Sequence, residues 1–110
     1  MKLEKIVAEL DLQVLAGTAQ LEREAQGCYI ADLLSCVMAG AQPDQLWFTL
    51  QTHLNIIAIA SMLEVAAIVV TEAAPIAPAT VERAAAEGVI LLSSTEPTYE
   101  TVAKLIQAGY

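Results

Sequence analysis

The densest run of polar side chains in the sequence is Gln51-Thr52-His53-Leu54-Asn55. It follows a β-like run, Leu46 to Gln51, and opens a helical run that continues to about Leu63. Where a strand passes into a helix, free backbone N–H groups beside Thr, Asn or His side chains can hold an anion. The same residue types serve equally as plain helix caps, with Thr52 or His53 in that role. Two more polar positions end apolar runs: Thr71 after Ala66 to Val70, and Ser93-Ser94 after Val89 to Leu92. If these runs are parallel strands, Gln51, Thr71 and Ser93 share the edge where open α/β sheets bind ligands. The candidate ligand-binding residues are therefore Gln51, Thr52, His53, Asn55, Thr71 and Ser93. A nucleotide or other anionic metabolite is the ligand class they suit.

Catalytic groupings are harder to assemble. His53 is the only histidine. A general base needs an orienting partner and a nearby nucleophile, and no spacing in the chain supplies either. Cys28 and Cys36 do not form a CxxC pair, and with one histidine they make a poor metal set. Both are expected to be buried reduced thiols. The five glycines are Gly17, Gly27, Gly40, Gly88 and Gly109, and none precedes a lysine. The phosphate-cradling G-x-x-x-x-G-K-[ST] loop is thus missing, as is G-x-G-x-x-G. The expectation is a chain that is not an enzyme and needs neither metal nor cofactor.

Composition narrows the partners. In 110 residues, five Lys and Arg stand against thirteen Asp and Glu, a formal charge of −8. The cations Lys2, Lys5, Arg23, Arg83 and Lys104 are scattered, which excludes a nucleic-acid footprint and disfavours an anionic membrane surface. Mean hydropathy is high at +0.56. The most apolar stretch, Ile56 to Val70, is nevertheless interrupted by Ser61 and Glu64 and falls short of the ~20 residues a span needs. Glu4 precedes any apolar run at the start of the sequence, so no secretory leader is expected and a cytoplasmic location is. The excess of Ala, Ile, Val and Leu implies a sheet covered on both faces, or surface buried between subunits. Trp47, Phe48 and Tyr29 are expected in the core or in dimer contacts, since no cations interleave with them.

The elements that must position these residues alternate between helix and strand. Leu3, Ile6, Val7 and Leu10 mark a short amphipathic helix over 2–10. Leu12 to Leu15 alternates like a strand, and Leu21 to Ala25 is read as another. Cys28-Tyr29-Ile30 forms a short strand entering a helix, with Asp32 in the first turn of that helix, Leu33, Leu34, Val37 and Met38 on its apolar face, and Gly40 at its end. Pro43-Asp44 is a turn. Ala66 to Thr71 is the best strand, and its unbroken apolarity fits a central parallel position. A helix from about Ala79 to Glu87 stops at Gly88, Val89 to Leu92 is a buried strand, and a last helix runs from near Thr98 to Gln107. Parallel right-handed crossovers follow for the second half. Residues 1–110 therefore form one α/β domain.

The segments also match a family. Leu21 to Met38 resembles the (D/E)-R-x-x-x-G-x-x-x-(S/A)-D-(L/M)-L signature of DRTGG-domain proteins, and places Arg23, Gly27 and Asp32 on its fixed positions. Leu46 to Ile56, Ala60-Ser61 and Ala67 to Thr71 are similar to the small stand-alone members. The family is similar to the N-terminal domain of HPr kinase/phosphorylase and to the DRTGG module of some CBS-domain pyrophosphatases and phosphotransacetylases. The resemblance implies a single domain with a mixed or mostly parallel sheet flanked by helices, acting as a regulatory or oligomer-forming attachment. An anion or carboxylate ligand for Arg23 would be its functional role; an ion pair with Glu22, Glu24 or Asp32 is the structural one. The chain departs from the family in two ways. It has no Asp-Arg-Thr-Gly-Gly string, and Glu72-Ala73-Ala74-Pro75 replaces the glycines that relatives place after the central strand's Thr. Without them, backbone approach of a phosphate at that loop is disfavoured.

The reading that results is a non-catalytic regulatory or interaction domain that self-associates, with a homodimer as the first expectation and a protein partner as a further one. It lacks intrinsic kinase activity. The alternative is a small-molecule sensor binding a nucleotide or other anionic metabolite at the sheet edge.

Overall fold

A computed structural model describes residues 1–110. The five strands are β1 (Gln13–Ala16), β2 (Cys28–Ile30), β3 (Leu46–Thr49), β4 (Ala67–Val70) and β5 (Leu91–Ser93), in the order β1-β5-β4-β3-β2. β2 to β5 are mutually parallel, and β1 joins the far edge antiparallel to β5. The helices are α1 (Leu3–Leu10), α2 (Leu34–Gly40), α3 (Asn55–Leu63), α4 (Pro78–Glu87) and α5 (Thr98–Gln107).

Each parallel step is one strand over, with one helix in the crossover. The alternation of a strand's side chains then divides the core in two. Trp47, Ile68, Val70 and Leu91 point to the face that carries Val37 of α2, Ile56, Ile57 and Ala60 of α3, and Ala84 of α4. Leu46, Phe48, Ala67, Val69 and Leu92 point to the other face, against Leu3, Ile6 and Leu10 of α1 and Leu105 of α5. Trp47 and Phe48, neighbours in β3, are both fully buried, one in each half of the core. The α/β class, the mostly parallel sheet and the central place of the Ala66–Thr71 run agree with the sequence reading.

Three local expectations are corrected. Leu21 to Ala25 is not a strand; it makes one isolated bridge, Glu24 to Lys2. Its backbone instead serves α1, whose first N–H groups have no partner within the helix. Leu3 N–H donates to the Arg23 carbonyl (2.9 Å) and Glu4 N–H to that of Leu21 (3.0 Å). Asp32 is not in a first helical turn, because α2 begins at Leu34. The cysteines are not both buried: Cys28 is half-buried and Cys36 is exposed. Gly40 does end α2, for a reason of packing: a Cβ there would lie 2.8 Å from the Tyr29 ring.

Candidate functional site

The parallel strands bring the ends of β2, β3, β4 and β5 to one edge, and the loops that follow form it. Within those loops the side chains chiefly bond one another. The Asp32 carboxylate accepts hydrogen bonds from the Thr49 hydroxyl (2.9 Å) and Leu50 N–H (2.7 Å), while Gln51 Nε2 donates to the Asp32 carbonyl (3.2 Å). Asp32 thus ties the end of β2 to the end of β3, a role that its distance from Thr49 in the chain hides from sequence inspection.

The other end of the edge is held by hydroxyl pairs. Thr71, fully buried, has its Oγ1 2.6 Å from Oγ1 of Thr98, the first residue of α5. Ser94 Oγ lies 2.9 Å from Thr101 Oγ1, and it also accepts from Glu96 N–H (3.1 Å). The Glu72 carboxylate accepts from Thr98 N–H at 3.3 Å. A carboxylate at the positive end of α5 is favourable, so the chain supplies its own anion there.

Glu72 and Ala73 have φ of +66° and +52°, left-handed values that non-glycine residues avoid. Both lie in the Glu72-Ala73-Ala74-Pro75 run that follows Thr71 at the end of β4. Their N–H groups are spent on the neighbouring loop: Glu72 N–H donates to the Glu96 carbonyl (2.8 Å) and Ala73 N–H to that of Ser94 (3.0 Å). The backbone thus keeps a turn suited to glycine, with its donors turned inward to protein acceptors.

The six candidate residues do not line one crevice. Gln51, Thr52, His53 and Leu54 face Ala79 and Thr80 across a hollow of about 370 Å3. Ser93 lies in a second hollow of about 280 Å3, with Gln13, Leu15, Ala74 and Thr95. Thr71 lines neither, its hydroxyl being held by Thr98. His53 Nδ1 accepts from Asn55 N–H (3.2 Å), which makes His53 the side chain that caps the start of α3. Thr80, whose role here no local sequence signal reveals, closes this hollow by donating its hydroxyl to the Thr52 carbonyl at 2.9 Å.

The signature residues have structural partners. Arg23 forms its ion pair with Asp44 (3.0 Å) rather than with Glu22, Glu24 or Asp32, and it also donates to the Glu64 carbonyl (2.9 Å) at the end of α3. Gly27 has φ +92° and is bonded by the Tyr110 hydroxyl. Cys28 faces the α1/α5 side, where burial pushes its thiol up to about 11. No three His, Cys, Asp or Glu side chains are grouped so that they could hold a metal ion. No helix is long and apolar enough to cross a membrane.

No protein-family model matches the chain, and no curated protein does. Among solved structures it is similar to the CBS and DRTGG domains of the regulatory region of Clostridium perfringens pyrophosphatase, complexed with the activator diadenosine tetraphosphate. The TM-score is 0.77 at 12% identity, over 96% of this chain and 46% of that one, so the chain spans about half the length of that structure. The likeness establishes a DRTGG-like fold.

Proposed function

We propose that this chain is a non-catalytic regulatory or interaction domain that self-associates and has no kinase activity of its own. Its kinship extends, on the same proposal, to the N-terminal domain of HPr kinase/phosphorylase, and its setting is the cytoplasm. The observation that carries the reading is the state of the sheet edge. The hydroxyls and carboxylates an active site would need free are committed to one another: Thr71 with Thr98, Ser94 with Thr101, Asp32 with Thr49. Every buried side-chain nitrogen and oxygen has a partner. Such an edge is a rigid frame. The likeness to a regulatory region supports the reading at the level of the fold. Light scattering on the purified chain tests it: a mass of twice 11.7 kDa or more is expected, and a monomer throughout the micromolar range refutes self-association.

A second reading is kept because of one observation. The hollow between Gln51–Leu54 and Thr80 lies beside the start of α3, and the similar pyrophosphatase region was solved with diadenosine tetraphosphate. A sensor for a nucleotide or other anionic metabolite would bind there, against the opposing charge of −8. Its test is a thermal-shift screen with nucleotides, sugar phosphates and acyl phosphates. A ligand that binds only the folded chain raises the melting temperature, and His53→Ala must abolish that rise. A flat screen at millimolar ligand refutes the sensor.

A further inference from the structure

Of the seven large hydrophobic side chains that stand exposed, Met62 alone lies on α3. Ile30, Leu33 and Met38 belong to β2 and the segment that follows it, and Leu50 follows the adjoining β3. Tyr99 and Ile106 lie on α5, which covers the same side of the sheet as Cys28. With Val102 they occupy helical spacing and make a second apolar stripe on that helix, beside the one that carries Leu105 into the core. Between β2 and α5 lies an open, mostly apolar hollow of about 520 Å3, lined by Cys28, Val102, Leu105 and Ile106.

The β2–α2 side of this flank also carries little charge. From Gln26 to Pro43 the only charged residue is Asp32, whose carboxylate is bonded to Thr49 and Leu50. β2 is one of the two edge strands. Leu46 N–H donates to the Gly27 carbonyl and Ala31 N–H to that of Phe48, so the alternation turns the N–H and C=O groups of Cys28 and Ile30 outward, away from β3. The strand is short, but it carries none of the usual protections of an edge, such as lysine, proline or a covering helix.

We infer that a second copy of this chain covers the flank, with β2 pairing antiparallel to β2 about a two-fold axis at Tyr29. The inference rests on the proposal of self-association and names its surface. A two-fold axis normal to the sheet keeps each face continuous, so α5 meets α5 on one side of a ten-stranded sheet and α2 meets α2 on the other. Cys28 of each copy then stands opposite Ile30 of the other, where their outward N–H and C=O groups bond. Because Asp32 is the only charge from Gln26 to Pro43, two chains of −8 meet along β2 with little repulsion across the seam.

The test is sedimentation equilibrium on the full chain and three lysine variants, with a melting curve for each to establish that it folds. Ile30→Lys and Ile106→Lys place a charge on the flank without touching the core, since both side chains are at least half exposed. Each is expected to weaken the dimer by at least about 100-fold, because it buries an unpaired charge at the seam. Met62→Lys, off the flank, leaves the dimer intact. Mild oxidation of Ile30→Cys in a Cys36→Ser background is expected to give a covalent dimer through Cys28 of the other copy. Folded flank variants that remain dimeric, together with no cross-link, overturn the surface and leave self-association standing. A wild-type chain that is monomeric at every concentration overturns both.

Discussion

The turn after β4 offers a quantitative check. Glu72 and Ala73 adopt φ of +66° and +52° in succession. Each non-glycine residue held in the left-handed region costs about 1–2 kcal/mol. Replacing Ala73 by glycine removes that cost and forfeits about 0.4–1 kcal/mol through the greater freedom of glycine in the unfolded chain. Ala73 is exposed and its N–H bond to Ser94 survives the change, so little packing is lost. Ala73→Gly is therefore expected to stabilise the domain by about 0.5–1 kcal/mol, which raises the melting temperature by roughly 3–6 °C for a chain of this size. Ala73→Val should act oppositely, by about 1 kcal/mol or more, because a β-branched residue tolerates positive φ least. Urea denaturation with thermal melting reads both. A destabilised Ala73→Gly, or a neutral Ala73→Val, refutes the account of the turn. Glu72→Gly gains less than Ala73→Gly, since it also removes the acceptor for Thr98 N–H.

Thr71→Val preserves shape but removes the hydroxyl paired with Thr98; a loss of about 1–2 kcal/mol is expected by denaturant titration, and an unchanged midpoint would show the pair contributes nothing. Alkylation followed by peptide mass spectrometry at mildly alkaline pH should label exposed Cys36 first and Cys28 at least about tenfold more slowly, since burial raises the Cys28 thiol from 9.0 to about 11 and starves it of thiolate. Equal labelling contradicts that. The raised value also makes the neutral thiol the form that folding prefers: its contribution is intact below pH 9 and is lost as pH climbs through 11. A Cys28→Ala chain lacks that component of the alkaline loss of stability, and identical alkaline profiles for the two chains would remove it from the account.

Elements whose signal is local were legible in the sequence. Ala66 to Thr71 reads as a central strand because both its faces are covered, and Gly88 reads as a helix stop because only a left-handed residue, here with φ +71°, closes α4. Errors arose where distant backbone decides. Leu21 to Ala25 has strand-like alternation, yet its carbonyls are taken by the free N–H groups of α1. Asp32 looks like a helix acid beside Leu33 and Leu34, yet its partners are Thr49 and Leu50. The candidate edge was legible as an edge, because strand ends in a parallel sheet must coincide. Its division into two hollows was not, because Thr71 meets Thr98 only through the docking of α5. Asp32 is the only charge from Gln26 to Pro43 in the sequence, but the continuity of this stretch with Val102 and Ile106 exists only once α5 crosses the sheet.

The central claim, a self-associating domain, is tested most directly by sedimentation equilibrium of the wild-type chain from low micromolar to sub-millimolar concentration. A mass of twice 11.7 kDa is expected, falling toward one copy only on dilution. A single species of 11.7 kDa across the whole range would contradict it.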